Sequence, residues 1–280
     1  MNYRSLLVYL DNSPACETRS RLAMQLARER DCHLVGLAPT GLIEPPPTQA
    51  AEEAMAASAG LAWDMLRDQA EKATQAFRDR CHAAGIKSFE VVLDESAQCS
   101  SIVEHAHCSD LTLVSQAVPG GAAFRREQEM VEEIVLYSPR PTLVVPHAGR
   151  FAHVGKHVLV AWDDSREAAR AVADALPLLV QAEHVEVVQW NEPGQAISAK
   201  TQPRLEAFRR WLMWHGVAAS VHVETTSIDI AGAIRSRTAD SRADLVVMGA
   251  YGHARWAERV MGGATRGLLA SMTVPVLMSH

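Results

Sequence analysis

Asp244-Leu-Val-Val-Met248 is an apolar run followed at once by Gly249-Ala-Tyr-Gly252. After nine intervening residues come Gly262 and Gly263, then Ala264, Thr265 and Arg266. The apolar run reads as a buried parallel strand. Thr265-Arg-Gly-Leu-Leu-Ala-Ser271 is helical in character, and Val274-Pro-Val-Leu-Met278 closes the chain as a strand. A strand therefore ends in glycines, and a second glycine pair opens a helix. Glycine lets backbone approach a ligand closely, and a helix start offers unpaired N–H groups with a positive partial charge. The arrangement suits a phosphate. His253, Arg255, Arg259 and Arg266 are near enough in sequence to help neutralise one. Glycines also serve plain turns and helix caps, so spacing alone leaves both readings open.

Gly249-x2-Gly252-x9-Gly262 resembles the G-x2-G-x9-G-[Ser/Thr] signature of the universal stress proteins, the UspA family. In ATP-binding members of that family this loop holds ribose and phosphates. Strand, glycine loop, helix and terminal Val-Pro-Val-Leu strand follow in the family's order. One position departs: the family's hydroxyl residue after the third glycine is Gly263 here, and the nearest hydroxyl is Thr265.

The 280 residues are 48% hydrophobic and 21% charged, the balance of a globular chain. A net charge of −6 argues against a general nucleic-acid binder, which needs a basic footprint. No apolar run reaches the ~18 residues of a membrane span. The N-terminus runs straight into Leu6-Leu-Val-Tyr-Leu10 without a signal-peptide layout, so the cytoplasm is the expected compartment. Five cysteines without a C-x-x-C pair suit reduced thiols. His105, His107 and Cys108 lack the spacing of a metal site.

From the N-terminus the pattern alternates. Strands are predicted at Leu6–Leu10, His33–Leu37, Phe89–Leu93, Leu111–Val114 and Pro141–Val145. Helices are predicted at Pro14–Arg30, Leu61–Ala84, Ser96–His107 and Glu127–Tyr137, with a proline-stiffened loop from Pro39 to Gly60. The alternation restarts at Val158–Ala161 and runs to the C-terminus. The halves align by residue: 163 − 11 = 152 for Asp163 and Asp11, 244 − 110 = 134 for Asp244 and Asp110, and 275 − 141 = 134 for Pro275 and Pro141. Repeated strand–helix alternation predicts an α/β chain of two Rossmann-like five-stranded parallel sheets in tandem. By resemblance these are adenine nucleotide alpha hydrolase-like domains, spanning 1–148 and 153–280. The terminal strands of the two halves are expected to pair, an intrachain domain pairing that covers an exposed edge on each.

The 134 offset places Ser115, Val118, Gln128 and Glu129 opposite Gly249, Gly252, Gly262 and Gly263. The first half has lost the loop, and one nucleotide site per chain is expected, in the second half. The resemblance gives Asp163, at the end of the first strand of that half, a contact to the nucleoside. Trp190 ends the next strand, where the family lines its adenine pocket; it either stacks on the base or fills the pocket. The expected binding residues are Asp163, Trp190, Gly249, Gly252, His253, Gly262, Gly263 and Thr265, with ATP, with or without Mg2+, as the ligand.

Three readings compete: an ATP-binding regulator of the stress response, a slow ATPase, and an interaction scaffold that binds no nucleotide. No G-x-x-x-x-G-K-[Ser/Thr] loop occurs, and no base stands beside a nucleophile in the sequence. The chain is therefore expected to be no enzyme, or at most a weak ATPase. As in the family, a dimer or other homo-oligomer is expected, with neither nucleic acid nor membrane as partner.

Overall fold

The computed structural model describes residues 2–41, 52–191, 198–252 and 263–280, the side chains of 52–61 apart. Tyr3–Val114 form one compact unit, and Ser115–His280, with Asn2, form another. Residues 149–155, where the two sequence repeats meet, lie within the larger unit.

The smaller unit runs β1 (Ser5–Tyr9), α1 (Pro14–Arg30), β2 (His33–Pro39), α2 (Glu52–Ala83), β3 (Phe89–Asp94), α3 (Gln98–Ala106) and β4 (Leu111–Ser115). Its strands are parallel in the order β3-β2-β1-β4. Leu6, Leu7, Val8, Leu34, Leu37, Leu111 and Leu113 are buried, as expected of strands covered on both faces. Ser13 caps α1 by accepting from the Cys16 N–H, and Pro14 fills the first turn where no N–H is needed. Helix α2 starts at Glu52, earlier than the Leu61 read from the sequence. The Ala- and Glu-rich run from Glu52 is a strong helix former, and the proline-based loop reading extended too far into it.

The larger unit runs α4 (Phe124–Tyr137), β5 (Thr142–Val145), β6 (His157–Ala161), α5 (Arg166–Leu179), β7 (His184–Asn191), α6 (Thr201–Trp214), β8 (Ala219–Thr225), α7 (Ile230–Asp240), β9 (Leu245–Gly249), α8 (Gly263–Ser271) and β10 (Val276–Ser279). Strands β10-β9-β6-β7-β8 form a five-stranded parallel sheet. Strand β5 adds to its edge antiparallel to β10, with Val276 opposite Val144 and Met278 opposite Thr142. The two terminal strands thus pair as the repeat predicts, and β10 is left with no open edge.

The repeat is visible in its hydrogen bonds. Asp110 accepts from the N–H groups of Arg4 and Ser5 at the start of β1. Asp244 accepts from those of Gly155, Lys156 and His157 at the start of β6. Helices α2 and α6 end alike. Gly85 and Gly216 take φ of +68° and +80°, which lets Ile86 and Val217 donate back to Cys81 and Leu212. The alternating α/β elements are those of a tandem Rossmann-like fold.

Candidate functional site

Strand order reverses at β6, which pairs with β7 on one side and β9 on the other. In open α/β sheets the crevice outside the carboxyl ends at such a reversal is where ligands bind. Asp163 follows β6, Trp190 lies near the end of β7, and Gly249 ends β9. Three of the sequence-predicted residues are therefore brought to one edge of one sheet.

Asp163 is exposed, and its Oδ1 accepts from the Ser165 N–H at 3.0 Å and from Ser165 Oγ at 2.5 Å. Ser165 Oγ in turn accepts from the Ala168 N–H at 3.1 Å, capping α5. The first repeat builds the same turn from Asp11, Ser13 and Cys16. A carboxylate at this point therefore has a structural duty in both repeats, whether or not a nucleoside is bound. Asp164 takes φ +62° beside it and pairs with Arg204 of α6 at 2.5 Å.

Trp190 is half-buried. Trp162, whose N–H donates to the Val188 carbonyl of β7, is 8% exposed and stacks on Phe208 of α6, with centroids 3.9 Å apart and planes 14° from parallel. Phe208 continues the stack to Trp211 at 5.8 Å. Sequence reading passed over Trp162. Its position one residue before Asp163, paired with the aromatic spacing Phe208 and Trp211 on a helix, was the available signal.

The glycines have separate reasons. A Cβ on Gly249 would stand 2.4 Å from the Ala168 nitrogen and 2.6 Å from the Glu167 carbonyl carbon. Only glycine lets β9 end against the first turn of α5. A Cβ on Gly252 would meet Ser165 Oγ at 3.0 Å and Glu167 Oε2 at 3.2 Å. Among the described residues nothing lies within 4 Å of a Cβ built on Gly263, where α8 begins. Thr265 is buried at 3% exposure, and its hydroxyl accepts from the Tyr251 N–H at 3.3 Å. It ties the turn 249–252 to the first turn of α8. His253 and Gly262, with Arg255 and Arg259, lie outside the described residues.

Arg266 does not stand ready for a phosphate. It donates to both carboxylate oxygens of Glu132 on α4, at 2.9 and 2.8 Å. Glu132 is buried, and its hydrogen bond and charge push the Arg266 guanidinium above its ordinary pKa. The expectation that Arg266 neutralises a bound polyphosphate is corrected accordingly: a buried carboxylate a helix away holds it first.

Glu167 is the other residue that sequence reading missed. It sits in the first turn of α5, 7% exposed, beneath Gly252. Burial favours its neutral form. The Arg166 hydrogen bond at 2.8 Å, its own N–H and the charges of Arg166 and His280 outweigh that and hold the carboxyl below the usual range. The N-terminal end of α5 thus carries its own anion. The corresponding turn of the first repeat is also closed internally. The Val118 N–H donates to Glu127 Oε2 of α4 at 3.1 Å, where the second repeat has Gly252. Among the described residues no group of three or more His, Cys, Asp or Glu could hold a metal ion, and no helix is long and apolar enough to cross a membrane.

Residues 155–280 match the model of the universal stress protein family. No curated protein matches the chain. Among solved structures, a universal stress protein from Archaeoglobus fulgidus DSM 4304 aligns over 98% of this chain and 95% of its own, with 18% identity and a TM-score of 0.75. A protein described as a universal stress protein from Pseudomonas aeruginosa UCBPP-PA14 aligns over 99% and 93%, with 17% identity and a TM-score of 0.59. A universal stress protein solved in complex with cAMP aligns over 53% of this chain and all of its own, with 18% identity and a TM-score of 0.38.

Proposed function

We propose that this chain, whose residues 155–280 form a universal stress protein domain, is an adenine-nucleotide-binding regulator with one site, in the second repeat. One observation carries the reading. At the reversal point of the β6–β9 sheet, Gly249 and Gly252 bring a turn close over the start of α5, and among the described residues nothing lies within 4 Å of a Cβ built on Gly263 at the start of α8. Backbone N–H groups at an open helix start favour a phosphate. Asp163 and Trp190 flank the same crevice for ribose and base, and His253, Gly262 and Thr265 complete the proposed set. In the first repeat the Val118 N–H already has Glu127 as its acceptor, which supports a single site per chain.

ATP is the proposed ligand, carried with Mg2+, and turnover is expected to be absent or far below the ~1–10³ s⁻¹ of ordinary enzymes. The test is mass spectrometry of small molecules released from the purified, undialysed protein. An adenine nucleotide, absent from a Gly252→Val preparation, is the expected result. A different ligand class in both preparations would overturn the reading.

A scaffold reading has one observation behind it. Trp214 at the end of α6 is 77% exposed and Met213 beside it 53%, an apolar patch on a helix whose other face is packed. Capture of a protein partner that Trp214→Ala abolishes, with no nucleotide bound in either form, would favour it.

A further inference from the structure

Ala250 and Tyr251 share a peptide unit that is held at both ends. The Ala250 carbonyl accepts from His280 Nδ1 at 2.9 Å, and the Tyr251 N–H donates to Thr265 Oγ1 at 3.3 Å. A carbonyl can only accept, so Nδ1 carries the imidazole hydrogen. The His280 ring also stands edge-on to the Tyr251 ring, with centroids 6.4 Å apart. Arg170 of α5 donates to the His280 backbone oxygen at 2.8 Å and fixes that residue in place. The shared peptide needs such holding. Tyr251 takes φ +61°, a conformation that bulky residues rarely adopt and that persists only where the surroundings enforce it. Turning the peptide plane over would return Tyr251 to negative φ, but it would break both bonds.

The first repeat supplies the contrast. Its Gln116 N–H donates to the Val145 carbonyl as the Ala250 N–H does to that of Ser279, so the two backbones correspond up to this point. Beyond it, the 134 offset puts Ala117, Val131 and Pro146 opposite Tyr251, Thr265 and His280. Val131 has no side-chain acceptor and Pro146 no donor, and Ala117 does not take positive φ. The neighbouring His147 directs its Nδ1 to the Gln116 side chain instead. Both arms and the left-handed residue thus occur together in the repeat that keeps the glycines and are missing together from the other. We propose that His280 is a positioning residue of the nucleotide site: with Thr265 it clamps the Ala250–Tyr251 peptide so that the turn 249–252 presents its N–H groups to a phosphate. The inference rests on the nucleotide reading above. Turns of this kind draw successive N–H groups toward one point, where an anion is held. With one arm gone the peptide is turned over part of the time, and the apparent affinity falls with the fraction that remains competent.

The test is calorimetry with ATP plus Mg2+ on the full-length wild type, His280→Phe and His280→Asn, with hydrogen exchange of the Tyr251 amide followed in the ligand-free proteins. Phenylalanine keeps a ring against Tyr251 but has no donor. Asparagine carries its amide nitrogen as many bonds from Cβ as Nδ1 is, and so keeps the donor without the ring. Melting curves establish that the variants are folded, and His280→Ala replaces His280→Phe if the latter is not. His280→Phe should weaken ATP binding about tenfold and speed Tyr251 exchange about tenfold. His280→Asn should change either by less than about threefold. A folded His280→Phe that matches the wild type in binding or in exchange overturns the clamp and leaves the nucleotide reading standing. So does a His280→Asn that binds as weakly as His280→Phe. A wild type that binds no ATP at millimolar concentration overturns both.

Discussion

Arg266 and Glu132 stand 266 − 132 = 134 residues apart, the separation that relates Asp244 to Asp110, and they bond to each other through two hydrogen bonds of 2.9 and 2.8 Å. The two ends of the ion pair are therefore equivalent positions of the two repeats, one now basic and the other acidic. Glu132 is 3% exposed and Arg266 half exposed, so the pair is asymmetric in its solvation.

Removing Arg266 takes the cation from a buried carboxylate and leaves it the Gln128 amide as donor. Arg266→Ala should lower stability by about 2 kcal/mol, at the lower end for a buried pair because the guanidinium faces solvent. The double variant with Glu132→Ala should cost less than the sum of the two single changes. Urea melts of the four proteins measure this. Additive losses would mean the pair contributes no coupling.

The glycines should separate by role. Gly249→Ala brings a Cβ to 2.4 Å from the backbone of α5, which cannot yield as a side chain can, and should destabilise by about 1–3 kcal/mol. Gly263→Ser meets no described residue within 4 Å of its Cβ and should change stability by no more than about 0.5 kcal/mol. It should tighten nucleotide binding by about tenfold by restoring the hydroxyl of the family signature. Thermal melts and calorimetry on both variants check this.

Acid should act through Glu167. Its carboxyl titrates lower in the folded chain than the ~4.3 of an unfolded glutamate. The stability it adds is then present above about pH 4.3 and is lost as pH falls through the folded value. Between about pH 5 and pH 3, Glu167→Gln should lose less stability than the wild type. Equal losses would show that Arg166 and His280 do not hold the charge.

The fold was legible because its signals are local. Apolar runs such as Leu6–Leu10 and Asp244–Met248 mark strands, Pro14 and Gly85 mark helix ends, and the anchors Asp110 and Asp244 repeat at a fixed offset. The pairing of β5 with β10 also followed, from matched terminal strands, though its antiparallel sense did not. The site was less legible, because its contacts join residues distant in sequence. Glu132 lies on a helix far from the loop, and nothing near Arg266 announces it. Glu167 reads as an ordinary first-turn acid until Gly252 is placed above it. Gly249 reads as a phosphate-loop glycine, yet the backbone of α5 alone requires it. Thr265, an expected binding residue, is buried, and the sequence does not show that its hydroxyl accepts from the Tyr251 N–H.

The most direct measurement is the stoichiometry of adenine nucleotide by calorimetry, with AMP and with ATP plus Mg2+, on the wild type and on Gly252→Val. The account predicts one nucleotide per chain for the wild type and none for the variant. Gly252→Val copies Val118 and displaces the side chains of Ser165 and Glu167 rather than backbone, so melting should change little. Two nucleotides per chain, none with either compound at millimolar concentration, or binding unaltered by Gly252→Val would contradict it.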